Sequence, residues 1–306
     1  MRWQYKCLID NCKGALPFQD QLREIKYRFV SYKPDPPAVN KWTIMEGLLQ
    51  VEWVRAVRPL VSAVVLEIGS GWQPLIPVLF SLAGAESVIL ADSTRLCTPG
   101  SLRAALSCLR SEKNLILDRL AVGERTFDEA LSWDPPSGLG ECFRRLRLKY
   151  IAPCDCRSLH MPDASIDVVT SRAVLEHIAP GVIADIFAES IRLLKPSGLA
   201  CHFIDNSDHW EHRDKGISRV NFLKFSDASF RWTCFHPQNY QNRLRHSEYV
   251  DMLSRCGLHI LRDEREIDEK ALSAIRTLRI SKRFRQFAPT DLVTISSYLL
   301  AQKPAC

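Results

Sequence analysis

No stretch of the 306-residue sequence is apolar for long enough to span a bilayer, which excludes a membrane helix. The opening Met1-Arg2-Trp3-Gln4-Tyr5-Lys6 lacks the apolar core of a secretory signal, so a cytoplasmic setting is expected. No internal repeat and no low-complexity tract is present, which sets aside repeat arrays and disordered tails. Cys7 and Cys12 have no second Cys/His pair at zinc-ligand spacing to accompany them, and Cys154 and Cys156 flank Asp155 too closely for an ordinary zinc knuckle. No metal is therefore expected. The 11 cysteines are odd in number and scattered through apolar segments, which fits reduced, buried thiols better than a disulfide scaffold. A dense basic stripe is also missing. The formal charge of +6 arises from 41 Lys and Arg against 35 Asp and Glu, and the richest clusters, 144–149 and 279–285, read as solvated helix faces.

What is present is a chain of globular composition, 46% hydrophobic and 25% charged. Its most informative stretch is Val64-Val65-Leu66-Glu67-Ile68-Gly69-Ser70-Gly71-Trp72, an apolar strand running into a glycine turn. Glycine lets the backbone turn tightly and approach a ligand where a Cβ would clash. A second apolar run, Ser87 to Ala91, ends in Asp92, the place where a dinucleotide-type fold hydrogen-bonds a ribose diol. A dehydrogenase would satisfy both features, so a third must decide.

The third is the segment Cys154 to Ile178, in which Asp155 is followed by Met161-Pro162-Asp163-Ala164-Ser165-Ile166-Asp167 and then by Leu175-Glu176-His177-Ile178. With Leu193-Leu194-Lys195-Pro196-Ser197-Gly198 it resembles, motif by motif and in order over residues 63 to 205, the class I S-adenosylmethionine-dependent methyltransferases, and within them the type 11-like group. The resemblance implies an α/β fold, a Rossmann-like, doubly wound, seven-stranded sheet, with S-adenosyl-L-methionine as cofactor. It further implies that the backbone of Gly69, Ser70 and Gly71 cradles the methionine end, that Asp92 takes the ribose hydroxyls and Asp155 accepts from the adenine amino group, with Glu67, Ser93 and Cys156 also in the cofactor site. Ser171 and Arg172 would close the floor beneath the sulfur. One departure stands out: Gln73-Pro74 occupies the place where that family often carries a third glycine, and proline there suits a first helical turn.

The expected organisation is a helical N-terminal cap over residues 1–62, with helices at Gln19–Arg28 and Thr43–Val57 separated by the Pro-rich Lys33–Pro37. A methyltransferase domain fills 63–306, with insertions at about 98–147 and 206–245. Strands are expected at Gly198–Ile204, Leu258–Leu261 and Leu292–Ala301, and a helix ending near Cys256-Gly257.

For catalysis, an acceptor hydroxyl benefits from a base matched to neutral pH. His209 lies just beyond the fifth strand, with Asp208 as its expected carboxylate partner and Asp205 as the alternative. His202, inside the strand, reads as a core residue, and His160 as a turn residue. His177 could border the acceptor, and Arg243 and Arg245 would suit a carboxylate or phosphate on it. Asp205-x-x-Asp208-His209 with Asn242-Arg243-Leu244-Arg245 resembles a bacterial methyltransferase subgroup associated with glycan or secondary metabolism. The expectation is thus O-methylation of a small molecule or glycan. N- or C-methylation, an RNA methyltransferase and a non-catalytic cofactor-binding protein are the alternatives. Against RNA, Ser171-Arg172-Ala173-Val174 stands where amino-methylating nucleic-acid enzymes carry an Asn/Asp-Pro-Pro-aromatic motif.

Overall fold

The computed structural model describes residues 2–14, 37–132, 138–233 and 239–305. The helix expected at Gln19–Arg28 lies outside them, as does most of the Pro-rich segment. Among the described residues two helices, α1 (Trp3–Gly14) and α2 (Pro37–Val57), precede β1 (Val64–Ile68), α3 (Leu75–Leu82) and β2 (Ser87–Ala91). Four helices follow, α4 (Pro99–Ser111), α5 (Lys113–Leu120), α6 (Glu124–Leu131) and α7 (Gly138–Arg145), leading to β3 (Leu148–Ile151). After β4 (Ile166–Arg172), α8 (Pro180–Leu193) and β5 (Leu194–Asp205) come α9 (Asp227–Thr233), α10 (His246–Arg255), β6 (His259–Ile267), α11 (Glu269–Ala274), α12 (Pro289–Leu292) and β7 (Thr294–Gln302).

The seven strands form one sheet in the order β3-β2-β1-β4-β5-β7-β6. β1 pairs in parallel with both β2 and β4, whereas β7 runs antiparallel between β5 and β6. Strands covered on both faces read as continuous apolar runs, and Ser87-Val88-Ile89-Leu90-Ala91 is buried at every position. The edge strand β6 is the opposite, largely exposed along His259 to Ile267, and its Arg262-Asp263-Glu264-Arg265-Glu266 run discourages further pairing. That charged run also explains why the sequence shows only Leu258–Leu261 as strand: its extension depends on pairing with β7, not on an apolar period. The chain leaves β1 toward β3 and then returns to β4 on the other side, so a crevice opens at the carboxyl ends of β1 and β4.

Local signals start and stop the helices. Thr98 caps α4 reciprocally with Ser101, and Pro99 supplies its first-turn geometry. Gly257, at φ +89°, turns the chain out of α10. Leu175 to His177 forms a single 3-10 turn, and the following helix begins only at Pro180. The inserted helices α4 to α6 are anchored by Leu102, Leu106, Leu109, Ile116, Leu120 and Phe127 in the same core cluster as Ile44, Leu48, Val51 and Trp53 of α2. Within the N-terminal 62 residues, α2 is thus woven into the core. α1 instead lies against the segment after β5, with the Trp3 and Trp210 rings 5.9 Å apart. Among the described residues no helix is long and apolar enough to cross a membrane.

Candidate active site

The loops at the carboxyl ends of four strands meet around a cavity of about 910 Å³. β1 contributes Ile68 and Gly69, β2 Asp92 and Ser93, the loop after β3 Pro153 to Arg157, and the loop after β4 Ala173, Val174 and His177. Gly69 and Gly71 hold φ of +74° and +61°, conformations that an L side chain resists. A Cβ on Gly69 would meet Val174 at 2.5 Å, whereas one on Gly71 would project into open space. Asp92 closes the turn from the neighbouring strand: one carboxylate oxygen accepts from the Gly71 N–H at 3.0 Å and the other from the Thr94 N–H at 3.0 Å. Each oxygen keeps capacity for a further donor, which is the demand a ribose diol makes. Behind the turn Glu67 is buried; desolvation, helped by Asp92 and opposed by Arg172, pushes its carboxyl up to about 8.

Farther along the rim, Asp155 lines the cavity while half exposed, its carboxylate gripped by Arg157 at 2.6 to 3.0 Å and held down to about 2. Cys156 lines it too, and burial pushes its thiol up to about 12, so it stays an uncharged wall. Cys97, Cys142, Cys154, Cys156, Cys201 and Cys256 carry free thiols.

A second, smaller cavity of about 200 Å³ adjoins the first through His177, which lines both. Its other walls include His209, Trp210, His212, Arg213 and Phe230. The His177 and His209 ring centroids are 4.9 Å apart, and those of His209 and His212 are 5.2 Å apart. His177 Nδ1 stands 3.0 Å from the Tyr240 carbonyl oxygen, an acceptor only, so this nitrogen carries the proton and Nε2 keeps its lone pair. Behind the rings Glu176 is 2% exposed, and neither of its carboxylate oxygens has a hydrogen-bond partner.

Residues 131–202 match the family model described as a methyltransferase domain. Over that stretch the sequence is that of a methyltransferase domain. Among solved structures it is similar to an S-adenosylmethionine-dependent methyltransferase from Mesorhizobium loti, at 14% identity over 83% of this chain and 98% of that one, with a TM-score of 0.44. It is also similar to a methyltransferase of Methanosarcina mazei, at 16% identity over 82% and 97% with a TM-score of 0.45. A third is Haemonchus contortus phosphoethanolamine N-methyltransferase 2 in complex with S-adenosyl-L-methionine, at 15% identity over 85% and 57% with a TM-score of 0.43. These distant likenesses carry no acceptor over to this chain. No curated protein matches the sequence.

The glycine turn, Asp92, Ser93, Asp155 and Cys156 come together at one crevice, and other expected site residues do not. Ser171 is fully buried with its hydroxyl 2.8 Å from His202 Nδ1, and Arg172 pairs with Glu46 of α2 at 2.6 Å. Neither lines the large cavity, because alternation along β4 turns them into the sheet's flanks; Ala173 and Val174 form that wall instead. Ser70 is buried beside the turn, with no partner for its hydroxyl.

The expected Asp208–His209 pairing is corrected. Asp208 is 1% exposed and turns away, accepting from the Trp210 N–H at 2.9 Å and from Asn221 Nδ2 at 3.2 Å; burial pushes its carboxyl up to about 6. Asp205 faces the histidine, with Oδ2 3.4 Å from His209 Nε2 and 3.8 Å from His212 Nε2. Burial works to raise the Asp205 carboxyl, but His209 and the Ser207 contacts outweigh it and hold it well below the carboxylate range. His209 is moved the other way: burial lowers it, and Asp205 more than compensates, raising it.

Arg243 and Arg245 are corrected as acceptor ligands. Arg243 is 2% exposed, donates to the Phe222 and Phe225 carbonyls and to Asp227, and packs 4.0 Å from the Phe230 ring centroid. Arg245 is wholly buried and donates to the carbonyls of Asn206, Leu292 and Thr294. Both guanidinium groups gather backbone oxygens, Arg243 from the segment after β5 and Arg245 from that segment and the approach to β7. Asp205 is the alternative partner that the sequence offered, whereas Glu176 and His212 were not singled out from it as site residues. The one local signal was Asp205-x-Ser207, an Asx turn in which the Ser207 N–H donates to Asp205 at 2.8 Å and aims its second oxygen at His209.

Proposed function

We propose that this methyltransferase modifies a small molecule or glycan, most simply at a hydroxyl, with the acceptor in the chamber of His177, His209 and His212. The carrying observation is the shared wall: His177 borders both the cofactor-sized cavity and the smaller one that holds His209 and Asp205. Bound S-adenosylmethionine supplies a methyl group on a sulfonium. The chain's residues position the rest: the turn at Gly69 and Gly71 and the Asp92 carboxylate hold the cofactor, with Ser93, Asp155 and Cys156 along its rim. Arg172 and Ser171 support the β4 end from behind. His209 would take the acceptor hydroxyl's proton while the methyl group exchanges its bond to sulfur for one to the acceptor oxygen, leaving the cofactor as the neutral thioether, and Asp205 would steady the imidazolium that results. Much of the acceleration comes from holding the acceptor in line and excluding water.

The aromatic wall of Trp210 and Phe230, with Arg213 beside it, suits a ring-shaped acceptor carrying polar substituents. At about 200 Å³ the chamber supports a sugar or single ring in preference to a nucleic-acid strand. α1 acts as the cap, where the Trp3 N–H donates to Asp214 at 2.9 Å. The test is calorimetry with S-adenosylmethionine and S-adenosylhomocysteine, followed by an acceptor screen with wild type and His209→Ala. The expected result is unchanged cofactor affinity and a turnover at least about 100-fold lower in the variant. Wild-type turnover and pH profile in His209→Ala would remove the base role.

A further inference from the structure

Glu176, His177 and His209 each offer one ligand atom to a common point, and these three atoms all lie within 4.8 Å of one another. We propose that they form a seat for one divalent transition-metal ion at the junction of the cofactor and acceptor cavities. The donors come from the 3-10 turn after β4 and from the segment after β5, so cysteine spacing in the sequence gives no hint of them.

Three observations converge. First, a carboxylate that is 2% exposed with both oxygens unpartnered is costly unless something completes it, and a cation among the neighbouring imidazoles would do so. Second, His177 is oriented as metal-bound histidines are: Nδ1 donates to the Tyr240 carbonyl, fixing the tautomer that leaves Nε2 bare, 4.0 Å from Glu176 Oε1. Third, two imidazoles and one carboxylate suit zinc, cobalt, nickel, iron or manganese better than calcium or magnesium, which prefer all-oxygen sets. Donors about 2.1 Å from one ion stand at most about 4.2 Å apart, so small rotations of the side chains close the set. Three protein ligands leave a position open, and His177 borders the acceptor chamber, so that position is available to an acceptor oxygen. With the ion bound, His209 is a ligand, and the ion replaces it in activating the acceptor.

The inference uses the acceptor chamber of the proposed function, yet its test needs neither cofactor nor acceptor. The full chain, stripped with a chelator, is titrated with Co²⁺ and followed by visible ligand-field absorption, then with Zn²⁺ by calorimetry. One equivalent is expected, with affinity at least about tenfold weaker in Glu176→Gln, His209→Asn and His177→Asn, and unchanged in His160→Asn. The half-exposed His177 keeps the test decisive should the buried Glu176 variant fail to fold. No stoichiometric uptake, undiminished uptake in His177→Asn, or near-ultraviolet thiolate bands showing that cysteines take the ion would each overturn the proposal. Chelator-resistant methyl transfer without uptake would overturn the metal seat and leave the methyl-transfer reading standing. Uptake without methyl transfer to any tested acceptor would do the reverse.

Discussion

The two ends of the sheet treat buried charge in opposite ways. At the amino edge, Asp167 is 3% exposed and fully engaged: Oδ2 accepts from the Val64 N–H and from Lys195 Nζ at 2.8 Å each, and Oδ1 accepts from Arg58. At the carboxyl edge, Glu67 and Glu176 are as deeply buried and largely unpaired, and both are pushed up to about 8. A satisfied carboxylate holds β1, β4 and β5 together; an unsatisfied one costs stability and is retained where chemistry uses it. The difference separates scaffold from site more sharply than burial does.

The sharpest break of this contrast should come from a charge that serves the scaffold but lies beside the acceptor region. Arg245→Ala should cost about 3–5 kcal/mol, because it strands the carbonyls of Asn206, Leu292 and Thr294, and chemical denaturation would read the loss. A variant that is stable but fails only with particular acceptors would return Arg245 to the site. Asp167→Asn should cost less, about 2 kcal/mol, since Arg58 and Lys195 reach partly into solvent. Burial acts to raise Asp167, but Lys195, the Val64 N–H and Arg58 outweigh it and hold it below the usual carboxylate range. Its contribution is therefore complete above the unfolded value near 4 and disappears as pH falls through the folded value. The wild-type and Asp167→Asn stability curves should accordingly converge in acid.

Asp92→Ala tests the site side and should weaken cofactor binding at least about tenfold with the fold intact, as calorimetry beside circular dichroism would show. An unchanged affinity in a folded Asp92→Ala protein would count heavily against the ribose role. Removing residues 1–36 should lower turnover several-fold more than cofactor affinity; full activity would take α1 out of the acceptor site. The remaining effect is a gain. Glu67 has a folded pKa raised to about 8, so the wild type should lose stability as pH climbs from about 4.5 to 8, and Glu67→Gln should not. Parallel curves for the two proteins across that window would contradict this account of Glu67.

This contrast also sorts what could be read from the residues. The turn at Gly69 and Gly71, Asp92 and the approach to Asp155 were legible because each is local: a strand end, a short turn and the next side chain determine the geometry. The choice between Asp205 and Asp208 was not. Both begin Asx turns, and only the packing of Asn221 against one and His209 against the other separates them. Arg243 and Arg245 misled for a related reason, since basic residues near an expected pocket mouth suggest an anion, and nothing local reveals that backbone oxygens are waiting inside. Glu176 stood within a quoted motif, but its lack of partners is a property of three dimensions.

β7 enters the sheet between two strands that precede it in the chain, and among the described residues β6 pairs with no other strand. During synthesis β5 must therefore wait with one edge bare, and β6 must wait with both, until the residues from Thr294 onward have emerged. A chain arrested before that point carries every residue of the glycine turn yet presents sticky strands to its neighbours. The mostly charged run of β6 would help protect the growing polypeptide during that interval, long before it serves as the rim of a finished enzyme.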